Sequence, residues 1–163
     1  MGLTFSKKSA NFLHYLPQKH SKMLNDLLSH LNWLHVFVAA IAYFVVGALW
    51  YSPVLFSKAW VKAHQIDMSN KEAAQKGMAA MMAGSFLLMF VSTIGLGIVY
   101  QLIPAVGLSG AVKTGLFVGL CFSTTAVAIG YLYNKKPLAA YLIDCGYHIV
   151  GLIVASIVLV LWQ

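Results

Sequence analysis

The chain has no arginine, and only four of its 163 residues are acidic: Asp26, Asp67, Glu72 and Asp144. Its eleven cations are therefore all lysine, and the formal charge is +7. Charged residues make up 9% and hydrophobic residues 60%, against roughly 25% and about 45–50% in soluble domains. So few charges exclude a soluble globular fold, because a domain of this size leaves a large share of its surface exposed. The medium around most of the chain must be lipid, and the length suits one bundle without a second domain.

Other scarcities narrow the function. The lysines sit at the ends of apolar runs, where cationic side chains reach lipid headgroups, and no basic groove or motif points to nucleic acid. The two cysteines, Cys121 and Cys145, fall inside apolar runs; two isolated thiols make neither a disulfide framework nor a zinc site. No paired-carboxylate constellation, phosphate-cradling glycine loop or cysteine beside a histidine at a helix start is visible, so the sequence leans away from an enzyme. His14, His20 and His30 lack tight ligand spacing. His35 belongs just inside the membrane face opposite Asp144 and His148 near mid-membrane, too far apart in depth to share a haem. No metal and no cofactor is expected.

What the chain does have is long apolar runs. Four of them, about 33–52, 73–103, 111–133 and 138–162, are each long enough for the ~20 residues that cross the hydrocarbon core. Only a helix satisfies its own backbone there. The first ends at Ser52-Pro53, where proline disfavours helix in the preceding residue. The second opens with Ser69-Asn70-Lys71-Glu72, a capping-box pattern, and stops at Pro104. Asn134-Lys135-Lys136-Pro137 turns the chain between the third and fourth. The expected fold is all-α: an integral membrane four-helix bundle running up and down.

Two segments look interfacial. Residues 1–31 form an extension before the transmembrane domain of 32–163. Met1 to Pro17 is mixed and basic, without a run long enough for a secretory signal peptide. From Lys22 to Leu34, leucines and Met23 recur at helical spacing, which predicts an amphipathic helix on the membrane surface leading into the first span. Between the first two spans, Leu55, Phe56, Ala59, Trp60 and Ala63 oppose Lys58 and Lys62, a second interfacial pattern. Lysine counts favour loops one and three in the cytoplasm, with Lys58, Lys62, Lys71, Lys76, Lys135 and Lys136 on that side.

Inside the spans, ionisable residues are the exception that needs a reason, since aspartate at a helix centre costs at least ~2.5–3.5 kcal/mol on insertion scales. Asp144 and His148 are four residues apart and share a helical face with Tyr141 and Cys145. At ~1.5 Å per residue from Leu138, Asp144 lies about 9 Å and His148 about 15 Å deep. Up-down topology brings Tyr51, Tyr131, Tyr133 and Lys76 to the same end. These groups predict a polar pocket with His148 at its floor and Lys76 or Tyr51 as partner to Asp144. The same pair would equally serve as an interhelical fastening, since polar contacts tie membrane helices together. Gly115, Gly119 and Ser123 form a small-residue stripe suited to close packing, within one bundle or between subunits.

Asn32-Trp33-Leu34-His35, Gly47-Ala48-Leu49-Trp50-Tyr51-Ser52-Pro53 with Phe56, Lys58, Ala59 and Trp60, and Asp144-Cys145-Gly146-Tyr147-His148 together resemble a bacterial family catalogued as domain of unknown function 1761. The resemblance covers about Asn32 to Gln163 and implies a small four-span protein of the bacterial inner membrane. It implies no activity, substrate or catalytic residue. Two readings of function follow from the residues. One is a small-solute or proton-linked transport unit, which four short spans would complete as a homo-oligomer, in the first instance a dimer. The other is a structural or accessory membrane protein that binds a partner and does no chemistry.

Overall fold

The computed structural model of the chain describes residues 22–66, 77–103 and 107–162. Two compact units are present, one ending at Asn32 and the other beginning at Trp33. In the first, residues 22–29 are helical. The expected helix to Leu34 is interrupted there: His30 N–H still bonds the Asp26 carbonyl at 3.2 Å, but the next bond tightens to Leu31 N–H on Leu28 O at 3.4 Å, and Ser29 Oγ also reaches the Asp26 carbonyl at 2.8 Å.

In the second unit four helices are long and apolar enough to cross a membrane: Trp33–Trp50, Met78–Leu102, Gly107–Tyr133 and Leu138–Leu161. No strand occurs among the described residues. The chain is an all-helical, multi-pass membrane protein. The capping-box residues Ser69 and Glu72, Lys71, Lys76 and Pro104 lie outside the described residues.

The fourth span is the axis of the bundle. Half of its most apolar stretch is buried within the protein, against 28%, 17% and 11% for the first, second and third. It packs on the third span along one side and on the first along another, while the second rests mainly on the first. Glycines set the closeness of these contacts. A Cβ on Gly115 would come within 2.6 Å of Ile153 Cα, and one on Gly119 within 3.0 Å of Ile149 Cα. The third and fourth backbones thus meet where only glycine fits. Ser123, next in the stripe, is half-buried.

On the other side, aromatic rings of one helix fill glycine notches of its neighbour. Tyr147 lies over Gly47, Trp50 over Gly146, and Tyr43 over Gly151, where an added Cβ would overlap the ring. These contacts fix an antiparallel register in which the first span's residues 43, 47 and 50 meet the fourth span's 151, 147 and 146. Trp50 Nε1 adds a hydrogen bond of 3.0 Å to the Ile143 carbonyl.

The third span departs from a uniform helix. Gly119–Thr124 is a π-helical segment between Gly107–Val118 and Thr125–Tyr133. A π turn accommodates one extra residue. Thr125, which follows it, bonds back onto the segment through Oγ1, reaching Cys121 O at 2.8 Å and Phe122 O at 2.9 Å. The neighbouring Thr124 Oγ1 is buried and has no partner.

Candidate functional site

The first span ends in a tight turn at Tyr51–Phe56, closed by Phe56 N–H to Trp50 O at 3.0 Å and Ser57 N–H to Ser52 O at 3.2 Å. A short helix, Ser57–His64, follows directly. Its more enclosed side is Ser57, Trp60, Val61 and His64, at helical spacing, with Lys58, Ala59 and Lys62 exposed. Of the apolar residues expected opposite Lys58 and Lys62, Trp60 and Ala63 are partly enclosed and Leu55, Phe56 and Ala59 are exposed. This loop helix packs against the start of the fourth span.

What it meets there is Asp144. The carboxylate Oδ1 accepts from the Tyr51 hydroxyl at 2.6 Å and from Trp60 Nε1 at 2.9 Å. Oδ2 accepts from the Tyr131 hydroxyl, and His64 Nε2 stands 3.6 Å from the same oxygen. Four elements of the chain thus converge on one carboxylate: the end of the first span, the loop helix, the third span and the fourth. Tyr51, Trp60 and Tyr131 all donate to it, which suits a carboxylate, whose oxygens accept. Such charge-assisted bonds are shorter and stronger than neutral ones, and they offset the cost of placing Asp144 inside the span.

His64 completes this cluster from the loop helix. Its Nδ1 is 3.1 Å from the Trp60 carbonyl, which can only accept, so Nδ1 carries a hydrogen. Nε2 then faces both the Asp144 carboxylate and the Tyr131 hydroxyl, the latter at 3.3 Å. When Nε2 is protonated the imidazolium pairs with Asp144, and the Tyr131 hydroxyl, its own proton on Asp144, can only accept from it. The side chains of His64 and Asp144 are 13% and 11% exposed, so the pair is nearly enclosed.

His148 belongs to a second, deeper cluster. Its Nδ1 is 2.7 Å from the Tyr43 hydroxyl, and its ring lies 4.6 Å from that of Tyr147. Tyr147 also neighbours the Tyr51 ring at 5.3 Å, but its hydroxyl donates to Met89 Sδ at 3.4 Å. Asp144 and His148 do share the side that faces the first span, yet each has its own tyrosine there, Tyr51 and Tyr43. Aromatic packing joins the two clusters, not a chain of hydrogen bonds.

Of the residues singled out from sequence, Asp144 and Tyr51 come together directly and His148 lies inward of them. Tyr141 stands apart, lining a cleft of 370 Å³ with Tyr131, Lys135 and Lys136. Lys76 is outside the described residues. His64, Tyr43 and Trp60 are site residues that the sequence alone does not single out, and Tyr131 stands there only among the polar groups at this end. The available signal was the spacing of Trp60 and His64, which puts both on one side of a short helix. At the far end of the bundle, His35 packs on Trp162 with ring centroids 5.0 Å apart. No group of three His, Cys, Asp or Glu side chains comes together as a metal-ligand set among the described residues.

No curated protein and no solved structure matches the chain. A family model does match, over residues 34–160, which takes in both tyrosine clusters, the loop helix and all four spans. The chain belongs to the family described as Protein of unknown function (DUF1761).

Proposed function

We propose that this protein is a small proton-linked transport unit in which Asp144 carries the proton and the helix Ser57–His64 covers it. The observation that carries this reading is the coordination of an intramembrane carboxylate by side chains from a loop helix. Ionisable groups within spans are costly and usually mark pathways or relays. A purely internal fastening needs no group from outside the spans. Here Trp60 and His64 come from the loop side, so displacing one short helix would open Asp144 to that face. His64 offers a route for a proton between the surface and the carboxylate, while His148 further inward is reached only through ring packing. The lysines of loops one and three support a cytoplasmic position for this face in the bacterial inner membrane. The second span, held mainly by the first, leaves an apolar face for a second copy in a homodimer.

A second reading has its own support. Three donors on the carboxylate complete its hydrogen bonding without any solute, which suits an accessory protein whose Asp144 fastens helices together. Proton flux separates the two. Purified protein in vesicles with an internal pH dye and an imposed potassium diffusion potential should admit protons faster than empty vesicles, and Asp144→Asn should abolish the difference while keeping the helical content. Equal flux in wild-type, variant and protein-free vesicles would remove the transport reading and leave the fastening.

A further inference from the structure

The cleft at the loop-three end of the third and fourth spans combines features that the Asp144 cluster does not use. It has a volume of 370 Å³ and is lined by Tyr131, Leu132, Lys135, Lys136, Leu138 and Tyr141 among others. Lys135 and Lys136 form the turn between two helices, with Lys135 in the left-handed region at φ 50°. That conformation closes the turn with Lys135 N–H on Leu132 O and Lys136 N–H on Tyr131 O, and it sets two adjacent cations at the rim. Below them the walls are apolar. Leu132 and Leu138 are 77% and 69% exposed, large aliphatic surfaces directly under a doubly charged rim. No acidic residue lines the cleft to neutralise the lysines.

From this juxtaposition we infer that the cleft binds an anionic phospholipid, its phosphate between Lys135 and Lys136 and its upper acyl chain against Leu132 and Leu138. The lining matches such a molecule: two cations at the turn and exposed aliphatic side chains beside them. A zwitterionic lipid satisfies the aliphatic part but brings its own cation to the lysine rim. A free phosphate satisfies the rim alone and leaves the apolar walls uncovered. Basic residues at the membrane surface each favour anionic lipid, and tyrosine is enriched at this depth. The occupant would also lie against Tyr131, whose hydroxyl holds Asp144, so lipid in the cleft would steady the Asp144 cluster from outside. The inference does not depend on transport, since the cleft is the same if Asp144 is only a fastening.

Native mass spectrometry of the full-length protein, released from a neutral detergent with equal phosphatidylglycerol and phosphatidylcholine, tests it. Retention of phosphatidylglycerol should exceed that of phosphatidylcholine on the order of thirtyfold, which is two lysines at about 1 kcal/mol each. Lys135→Gln with Lys136→Gln should bring the ratio close to one while the fold, followed by helical content, is kept. Lys58→Gln with Lys62→Gln, on the loop helix, should leave the preference in place. Leu132→Ser should weaken retention of both lipids if the chain lies in the cleft. Equal retention of the two lipids by the wild type, or a preference that survives loss of Lys135 and Lys136, overturns the inference. So does displacement of phosphatidylglycerol by inorganic phosphate at comparable concentration, which would make the cleft a site for a soluble anion.

Discussion

The Trp60 indole N–H lies 2.9 Å from Asp144 Oδ1, joining residues 84 positions apart in the chain. The bond determines where the loop helix sits. Ser57–His64 sets apolar residues opposite Lys58 and Lys62, but that pattern alone gives it no reason to hold Trp60 and His64 against the fourth span. Asp144 supplies that reason, because its carboxylate rewards the side bearing an indole N–H and an imidazole. The position of the loop helix and the tolerance of the span for a carboxylate are two aspects of one interaction.

Trp60→Phe keeps the ring and removes the donor, leaving Oδ1 with Tyr51 alone. Hydrogen bonds to charged groups contribute about 1.5–3 kcal/mol net. The variant should therefore unfold several degrees lower in detergent, and amide exchange across residues 57–64 should accelerate more than exchange in the fourth span. Unchanged exchange in the loop helix would mean that its apolar contacts, not Asp144, hold it down.

Tyr51 and Tyr131 grip different oxygens of the same carboxylate, so their contributions should be coupled through Asp144. In double-mutant cycles with Asp144→Asn, Tyr51→Phe and Tyr131→Phe should each show an interaction energy in the range of about 0.5–3 kcal/mol found for contacting groups. Tyr43→Phe belongs to the deeper cluster and should be nearly additive with Asp144→Asn. Thermal unfolding of each purified variant supplies the numbers. Equal coupling for Tyr43 would show that the two clusters act as one unit.

Much of this arrangement was legible in the sequence, and the omissions have physical causes. Four apolar runs with prolines at their ends determine four helices, and up-down connection alone brings Tyr51 and Asp144 to the same membrane face. His64 was not legible because a lone histidine in a short, lysine-bearing segment carries no periodic signal, and its partner lies in the last span. Trp60 resembled an ordinary interfacial anchor, since an indole at the headgroup level needs no buried acceptor. Tyr43 lay concealed within an apolar run, and only the register of the first span on the fourth pairs it with His148. The π-helical segment Gly119–Thr124 has no hydropathy signature, because bonding to the fifth residue instead of the fourth leaves composition unchanged.

The two cysteines should differ sharply in reactivity. Cys121 is exposed on the third span, whereas Cys145 is buried with its sulfur 3.9 Å from the Thr124 carbonyl. A membrane-permeant maleimide added to the folded protein in mild detergent should modify Cys121 and spare Cys145 until the protein is denatured, as peptide mass mapping would reveal. Rapid labelling of Cys145 in the folded state would mean that the third and fourth spans separate readily next to Asp144.

Glycine substitutions offer the most direct check on the helix register. Gly130 has open space where a Cβ would go, so Gly130→Ala should be neutral or slightly stabilising. At Gly115 the new carbon would meet the Ile153 backbone at 2.6 Å, which cannot move aside without separating the third and fourth spans. Overpacking of this kind costs about 1–3 kcal/mol, and Gly115→Ala should lower the unfolding temperature accordingly. Gly151→Ala meets the Tyr43 ring instead, a side chain that can rotate away. Rotation would give up the 2.7 Å contact between Tyr43 and His148. In a Tyr43→Ala background the clash is absent, so Gly151→Ala should cost far less there than in the wild type. Gly115→Ala should cost the same in both backgrounds, because its obstacle is backbone on the other side of the fourth span.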